Sequence, residues 1–187
     1  MTGAADGHGP GVDAQVAVGT AAQMRALGRE LAALLRAGDL VVLSGPLGAG
    51  KTTLTQGIGA GLGVRGLVTS PTFVIARRHP NLGSGPDLVH ADAYRLGSRA
   101  EVDDLDLDAD LATSVTVVEW GEGLVEDRAP GYLLVSLRAG DPGQGSGASD
   151  EGDEPRTVRV QGTGGRWQDP HAAAAVRVAL TASLPLT

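Results

Sequence analysis

The sequence predicts an α/β domain, and three observations carry that prediction. A short apolar run, Leu40–Leu43, ends in a glycine-rich turn, Ser44–Gly50, which opens into a helical stretch from Lys51. Two further apolar runs, Leu88–Ala91 and Val115–Val118, are each followed directly by a carboxylate, Asp92 and Glu119. Near the C-terminus, Tyr132–Arg138 and Thr157–Gln161 alternate in hydropathy as an antiparallel pair does. At 187 residues the chain has about one domain's length.

The elements follow in order. Residues 1–13 are expected to form a disordered tail, and residues 14–187 a single domain. Gln15–Val18 reads as a strand. Thr20-Ala-Ala-Gln23 is a capping box, so a helix starts after Thr20; Met24, Leu27, Leu31, Leu34 and Leu35 supply its buried stripe and Gly38 ends it. Leu40–Leu43 is a buried strand, and Lys51 to about Leu62 is a helix. Gly57, Gly59 and Gly61 each cost that helix ~1 kcal/mol in propensity, so packing must compensate. A Ser/Thr/Pro loop, Val68–Phe73, leads into a strand at Ile75–Arg77, and Leu88–Ala91 forms the next. Ser98-Arg-Ala-Glu101 is a second capping box, announcing a short helix. Val115–Val118, β-branched throughout, is the strongest strand signal. The stretch 139–155, rich in Gly, Ser, Asp and Glu, reads as a flexible acidic loop joining the hairpin strands. Asp169-Pro170 starts a last helix with Val176 and Leu180 facing inward.

Composition excludes several functions. There is no cysteine, which removes disulfides, thiolate zinc sites and thiol nucleophiles. His8, His79, His90 and His171 are too scattered to form a tight metal cluster. The balance of 15 basic against 22 acidic residues, net charge −7, argues against broad nonspecific nucleic-acid binding. No apolar run approaches the ~18 residues of a membrane span and the N-terminus lacks a secretory pattern, so a soluble cytoplasmic protein without a membrane partner is expected. Fourteen of the 15 basic residues are arginine, as a GC-rich coding bias favours at exchangeable surface sites. The exception is Lys51.

Lys51 sits in Gly45-Pro-Leu-Gly-Ala-Gly-Lys-Thr52, which fits G-x-x-x-x-G-K-[ST], the phosphate-binding P-loop. The spacing predicts a cradle of backbone N–H groups over Gly45, Leu47, Gly48, Ala49 and Gly50, completed by Lys51, Thr52 and Thr53 at the N-terminus of the helix. The compact ammonium suits the β- and γ-phosphates, and the Thr52 hydroxyl suits Mg²⁺. Such a site also needs an acidic group at the end of a neighbouring strand. Asp92 and Glu119 both qualify, and the sequence does not separate metal ligand from water-positioning group. Thr69-Ser70-Pro71-Thr72 lies where a hydroxyl-bearing switch would sense the γ-phosphate. Trp120 directly follows Glu119, and Arg77, Arg78 and Arg95 are candidates for contacting phosphate or RNA. The N-K-x-D element that reads guanine needs a second lysine, which the chain lacks. A small-molecule kinase needs an acceptor pocket and a lid, neither of which the sequence identifies. As a loop side chain, Lys51 is expected to be exposed and to contribute little to stability.

The segments G-P-L-G-A-G-K-T-T at 45–53, S-P-T-F at 70–73, H-A-D-A-Y-R-L at 90–96, E-V-D-D-L-D-L at 101–107 and V-E-W at 118–120 occur in this order. Over residues 15 to 165 they resemble the bacterial TsaE family, the ATPase of tRNA threonylcarbamoyladenosine biosynthesis. The resemblance implies a three-layer P-loop domain with a mixed, mostly parallel sheet. It further implies ATP and Mg²⁺ as cofactors, slow ATP hydrolysis, and action beside the TsaD and TsaB proteins, with tRNA reached indirectly through that complex. It assigns phosphate binding to Lys51, Mg²⁺ to Thr52 with Glu119, metal or catalytic support to Asp92, the switch to Thr72 and a place beside the nucleotide to Trp120. One departure is Gly121, where the family commonly has proline, which implies a more mobile loop there. Two other readings remain: a nucleotide-gated binding module with incidental hydrolysis, and the kinase.

Overall fold

The computed structural model describes residues 11–71, 76–94, 96, 101, 110–139 and 155–182. It forms one seven-stranded sheet: β1 (Asp13–Val18), β2 (Leu40–Ser44), β3 (Ala76–His79), β4 (Asp87–Asp92), β5 (Ser114–Glu119), β6 (Gly131–Ala139) and β7 (Arg156–Gly164). The strand order is β1-β7-β6-β2-β5-β4-β3. The central run β6-β2-β5-β4 is parallel, while β1/β7, β7/β6 and β4/β3 are antiparallel. The fold is thus the predicted α/β class, with a mixed sheet, a parallel centre and the C-terminal hairpin.

Among the described residues, the helices α1 (Ala21–Ala32), α2 (Lys51–Leu62) and α3 (Pro170–Ala182) share one face of the sheet. Strand alternation divides the core accordingly. Val41 and Leu43 point toward Leu27, Leu54, Ile58 and Val176, while Leu40 and Val42 join Val118 and Val125 on the other face. That second face is covered by the segment running through Leu124 and a 3₁₀ turn at Glu126–Arg128 to Ala129. Among the described residues, no helix is long and apolar enough to cross a membrane.

The first capping box is present: the Gln23 amide donates to Thr20 Oγ1 at 3.1 Å and the Thr20 amide to Gln23 Oε1 at 3.2 Å. The helix stops at Ala32, however, well before Gly38. Leu34 and Leu35 lie in tightened turns bonded to Leu31 and Ala32, and the Asp39 carboxylate accepts from the Arg36 amide at 2.8 Å, which redirects the chain into β2. Of the residues expected in the tail, Asp13 begins β1, and Val12 before it is buried, its amide donating to the Trp167 carbonyl. Residues 1–10, positions 98–100 of the second capping box and positions 140–154 of the acidic stretch lie outside the described residues.

The glycines of α2 have a packing reason. A Cβ on Gly57 would fall against the Arg25 carbonyl, one on Gly28 against the Leu54 carbonyl, and one on Gly61 would sit 2.5 Å from the Ala32 Cβ. α1 and α2 therefore touch backbone to backbone, and the low propensity of α2 is offset by close approach. Gly57→Ala is expected to destabilise the protein by about 1–3 kcal/mol through overpacking, although alanine gains ~1 kcal/mol in propensity. Urea unfolding measures the difference; an unchanged or raised midpoint would contradict it.

Behind the parallel ends, His79 is buried on β3, diagonal across the ladder from His90 on β4. Burial holds the His79 imidazole below its ordinary 6.5, the neighbouring His90 adds to this, and a backbone hydrogen bond at Arg65 opposes it. The unfolded chain then takes up this proton before the folded one does. Stability contributed by neutral His79 is complete above 6.5 and lost as pH falls from 6.5 toward the lower folded value. The urea midpoint should decline across that window, and His79→Gln should flatten the slope.

Candidate functional site

The site lies at the C-terminal ends of the parallel strands, where open α/β sheets place ligands. β2 delivers the glycine-rich loop, and β5 and β4 end side by side on Glu119 and Asp92, which pair directly across the ladder. Leu43 pairs with Glu119 on the other side, so the loop and both carboxylates share one rim.

The loop needs its glycines at specific places. Gly45, Gly48 and Gly50 have φ of 141°, 78° and 102°, the left-handed region that a side chain resists. Ala49 is buried, whereas Leu47 is 90% exposed and Thr52 and Thr53 are half-buried. Arg156 reaches over from β7, its Nη2 donating to the Gly48 carbonyl at 3.5 Å.

Lys51 is not the exposed side chain the sequence suggests; its relative exposure is 5%. Its Nζ donates to the Gly45 carbonyl at 2.8 Å and the Pro46 carbonyl at 2.9 Å, and lies 3.8 Å from the centroid of the Trp120 ring. An ammonium has three donors, so one remains beyond the two loop carbonyls. Burial pushes its pKa below the ordinary 10.5, opposed by the carboxylates of Glu119 and Asp92. The reason for burial is Trp120, which covers the ammonium with a favourable cation–π face. Trp120 itself holds φ 61°, uncommon for a residue with a side chain, and its amide is tied to the Leu43 carbonyl at 2.9 Å. Tyr94 flanks it with ring centroids 5.1 Å apart.

Gly121 follows. A Cβ there would lie 2.8 Å from Val118 Cγ1 and 3.0 Å from Val125 Cγ2, so the position serves tight packing against these two valines.

The carboxylates differ in their partners. Thr52 Oγ1 donates to Glu119 Oε1 at 2.9 Å, joining the helix start to the end of β5. Asp92 instead accepts from the Tyr94 amide at 2.9 Å and from Ser70 Oγ at 3.4 Å. The structure therefore brings Lys51, Thr52, Glu119 and Trp120 together, with Asp92 alongside facing the Thr69–Pro71 loop. Thr72 lies outside the described residues, as does Arg95. Arg77 Nη1 donates to Thr69 Oγ1 at 3.2 Å, while Arg78 is paired with Asp87 at 2.9 Å and Asp110 at 2.6 Å.

A further side chain meets Glu119. His90, fully buried, places Nε2 2.9 Å from the same Glu119 Oε1 that Thr52 engages. Its signal was present in period two: His90 and Asp92 are two residues apart on β4 and so share a face.

The family model described as "Threonylcarbamoyl adenosine biosynthesis protein TsaE" matches residues 18–143. The chain is 61% identical over 145 residues to the tRNA threonylcarbamoyladenosine biosynthesis protein TsaE of Streptomyces coelicolor, covering 77% of this chain and 93% of that protein. It is 42% identical over 122 residues to the protein of the same name from Bacillus subtilis, covering 64% of this chain and 74% of the relative. The crystal structure of Bacillus subtilis YdiB superposes with a TM-score of 0.63 at 26% identity, covering 91% of this chain and 95% of the other. With the family model matching most of the chain and the P-loop rim built as described, the protein belongs to the TsaE family, whose members take part in tRNA threonylcarbamoyladenosine biosynthesis.

Proposed function

We propose that this protein binds ATP with Mg²⁺ at the β2–α2 loop, hydrolyses it slowly, and uses that cycle to support a TsaB–TsaD pair in forming threonylcarbamoyladenosine at position 37 of tRNA. The observation that carries the proposal is the joining of Thr52 to Glu119 at 2.9 Å beside the buried Lys51 ammonium. A hydroxyl and carboxylates are the hard oxygen donors that suit Mg²⁺.

In this reading Thr52 and Glu119 hold the cation. Bound there, it would neutralise charge on the phosphates. Lys51 directs its remaining donor to phosphate, and the α2 N-terminus adds its backbone N–H groups. Trp120 closes over the ammonium and keeps water from it. Asp92, facing Ser70, supports the cation or a water from the switch side, with Thr72 as the switch hydroxyl. Adenine contacts are not assigned.

The test is reconstitution. With TsaB, TsaD and tRNA, multiple-turnover modification should require this protein and ATP, and co-purification with TsaB–TsaD should depend on nucleotide. Equal multiple-turnover yield with and without the protein would sink the proposal. Transfer of phosphate to a metabolite instead of water would point to a kinase.

A further inference from the structure

Glu119 Oε1 is engaged twice, by Thr52 Oγ1 and by His90 Nε2, each at 2.9 Å. A carboxylate only accepts, so His90 must present a protonated Nε2. This imidazole is fully buried at the end of β4, and its Nδ1 finds no partner among the described residues. On the neighbouring strand, the buried His79 likewise leaves Nε2 without one. An unpaired buried nitrogen costs more than an apolar side chain of similar volume, so stability alone does not account for a histidine here. What His90 supplies, and an apolar residue would not, is a fixed donor to one oxygen of Glu119.

From this we infer that His90 is a positioning residue: it pins Oε1 of Glu119 and so turns the second oxygen, Oε2, toward the rim where the cation and phosphates would lie. The inference rests on the ATP and Mg²⁺ reading of the site. Partners of this kind behind a metal-holding carboxylate orient it, and their loss typically costs about 10–100-fold in metal affinity or activity. The hydrogen bonds of Lys51 run to the Gly45 and Pro46 carbonyls, so nucleotide affinity without magnesium is set there and not at His90.

The experiment compares His90→Met, which removes the donor at similar length, with His90→Gln, which keeps an N–H donor. His90→Met should raise the Mg²⁺ concentration for half-maximal ATP hydrolysis about 10–100-fold. Its magnesium-free affinity for a fluorescent ADP analogue should stay within about 2-fold of wild type, and His90→Gln should recover most of the loss. A merely structural role would lower the urea midpoint of both variants and leave the Mg²⁺ dependence of the folded fraction unchanged; that result overturns the inference. Should His90→Met fail to fold, nitrogen-15 spectra of wild-type imidazoles decide. A proton on Nε2 of His90, with a resonance that moves when Mg²⁺ and nucleotide are added, supports the role; an unprotonated Nε2 or an unmoved resonance overturns it. Wild-type protein that neither binds nor hydrolyses ATP overturns the parent reading and the inference together, whereas active wild type with Mg²⁺-indifferent variants overturns the inference alone.

Discussion

Lys51→Ala is expected to weaken ATP binding by at least about 30-fold in calorimetry, because truncating one partner of a buried, hydrogen-bonded charge pair costs ~2–5 kcal/mol. The structure raises the stake beyond a simple missing charge. The ammonium braces the loop by bonding the Gly45 and Pro46 carbonyls, and Trp120 rests on it. Alanine therefore also frees the loop and leaves the Trp120 face without its cation. The fold should survive. The two carbonyls lie in a half-exposed or exposed stretch where water can replace the lost donors, so the stability loss should be about 1 kcal/mol. Arginine should not rescue binding, since its wide planar fork does not reproduce a compact ammonium held by two loop carbonyls under the indole. An ATP affinity equal to that of wild type would refute the assignment of the loop.

The second large effect is Glu119→Gln. The amide matches the carboxylate in shape, and its oxygen can still accept from Thr52 and His90. What is lost is the negative charge at the end of β5. If Glu119 holds the cation or positions water, hydrolysis should fall about 10²–10⁴-fold, while magnesium-free nucleotide binding stays close to wild type. The variant also separates two accounts of the cycle. Loss of tRNA modification with nucleotide binding retained means that hydrolysis is required. Full modification means that binding alone gates the partner complex. Hydrolysis at the wild-type rate would remove Glu119 from the chemistry.

Much of this arrangement was legible in the chain. The capping box at Thr20, the apolar runs before Ser44, Asp92 and Glu119, and the alternation of the C-terminal hairpin each obey a local rule, and each is present in the fold. Local rules failed where a distant element intervened. The stripe through Leu35 suggested a helix to Gly38, but the Asp39 carboxylate, itself bonded to Arg166 from the far end of the chain, turns the backbone earlier. Glycines that weaken α2 as an isolated helix are what let α1 approach it.

At the site, chemical type was readable and contact was not. The chain by itself determined the residue kinds: one ammonium placed after a glycine-rich turn, a hydroxyl beside it, and carboxylates ending two apolar strands. Those follow from spacing along a single segment, because a P-loop is a local structure. Tertiary structure decided that Lys51 is buried under Trp120, that Thr52 meets Glu119 but not Asp92, and that His90 stands behind the carboxylate. Each of these joins residues tens of positions apart, through the parallel pairing of β2, β5 and β4. Strand register sets which side chains share a rim, and register is fixed by the packing of whole faces, which no single segment contains.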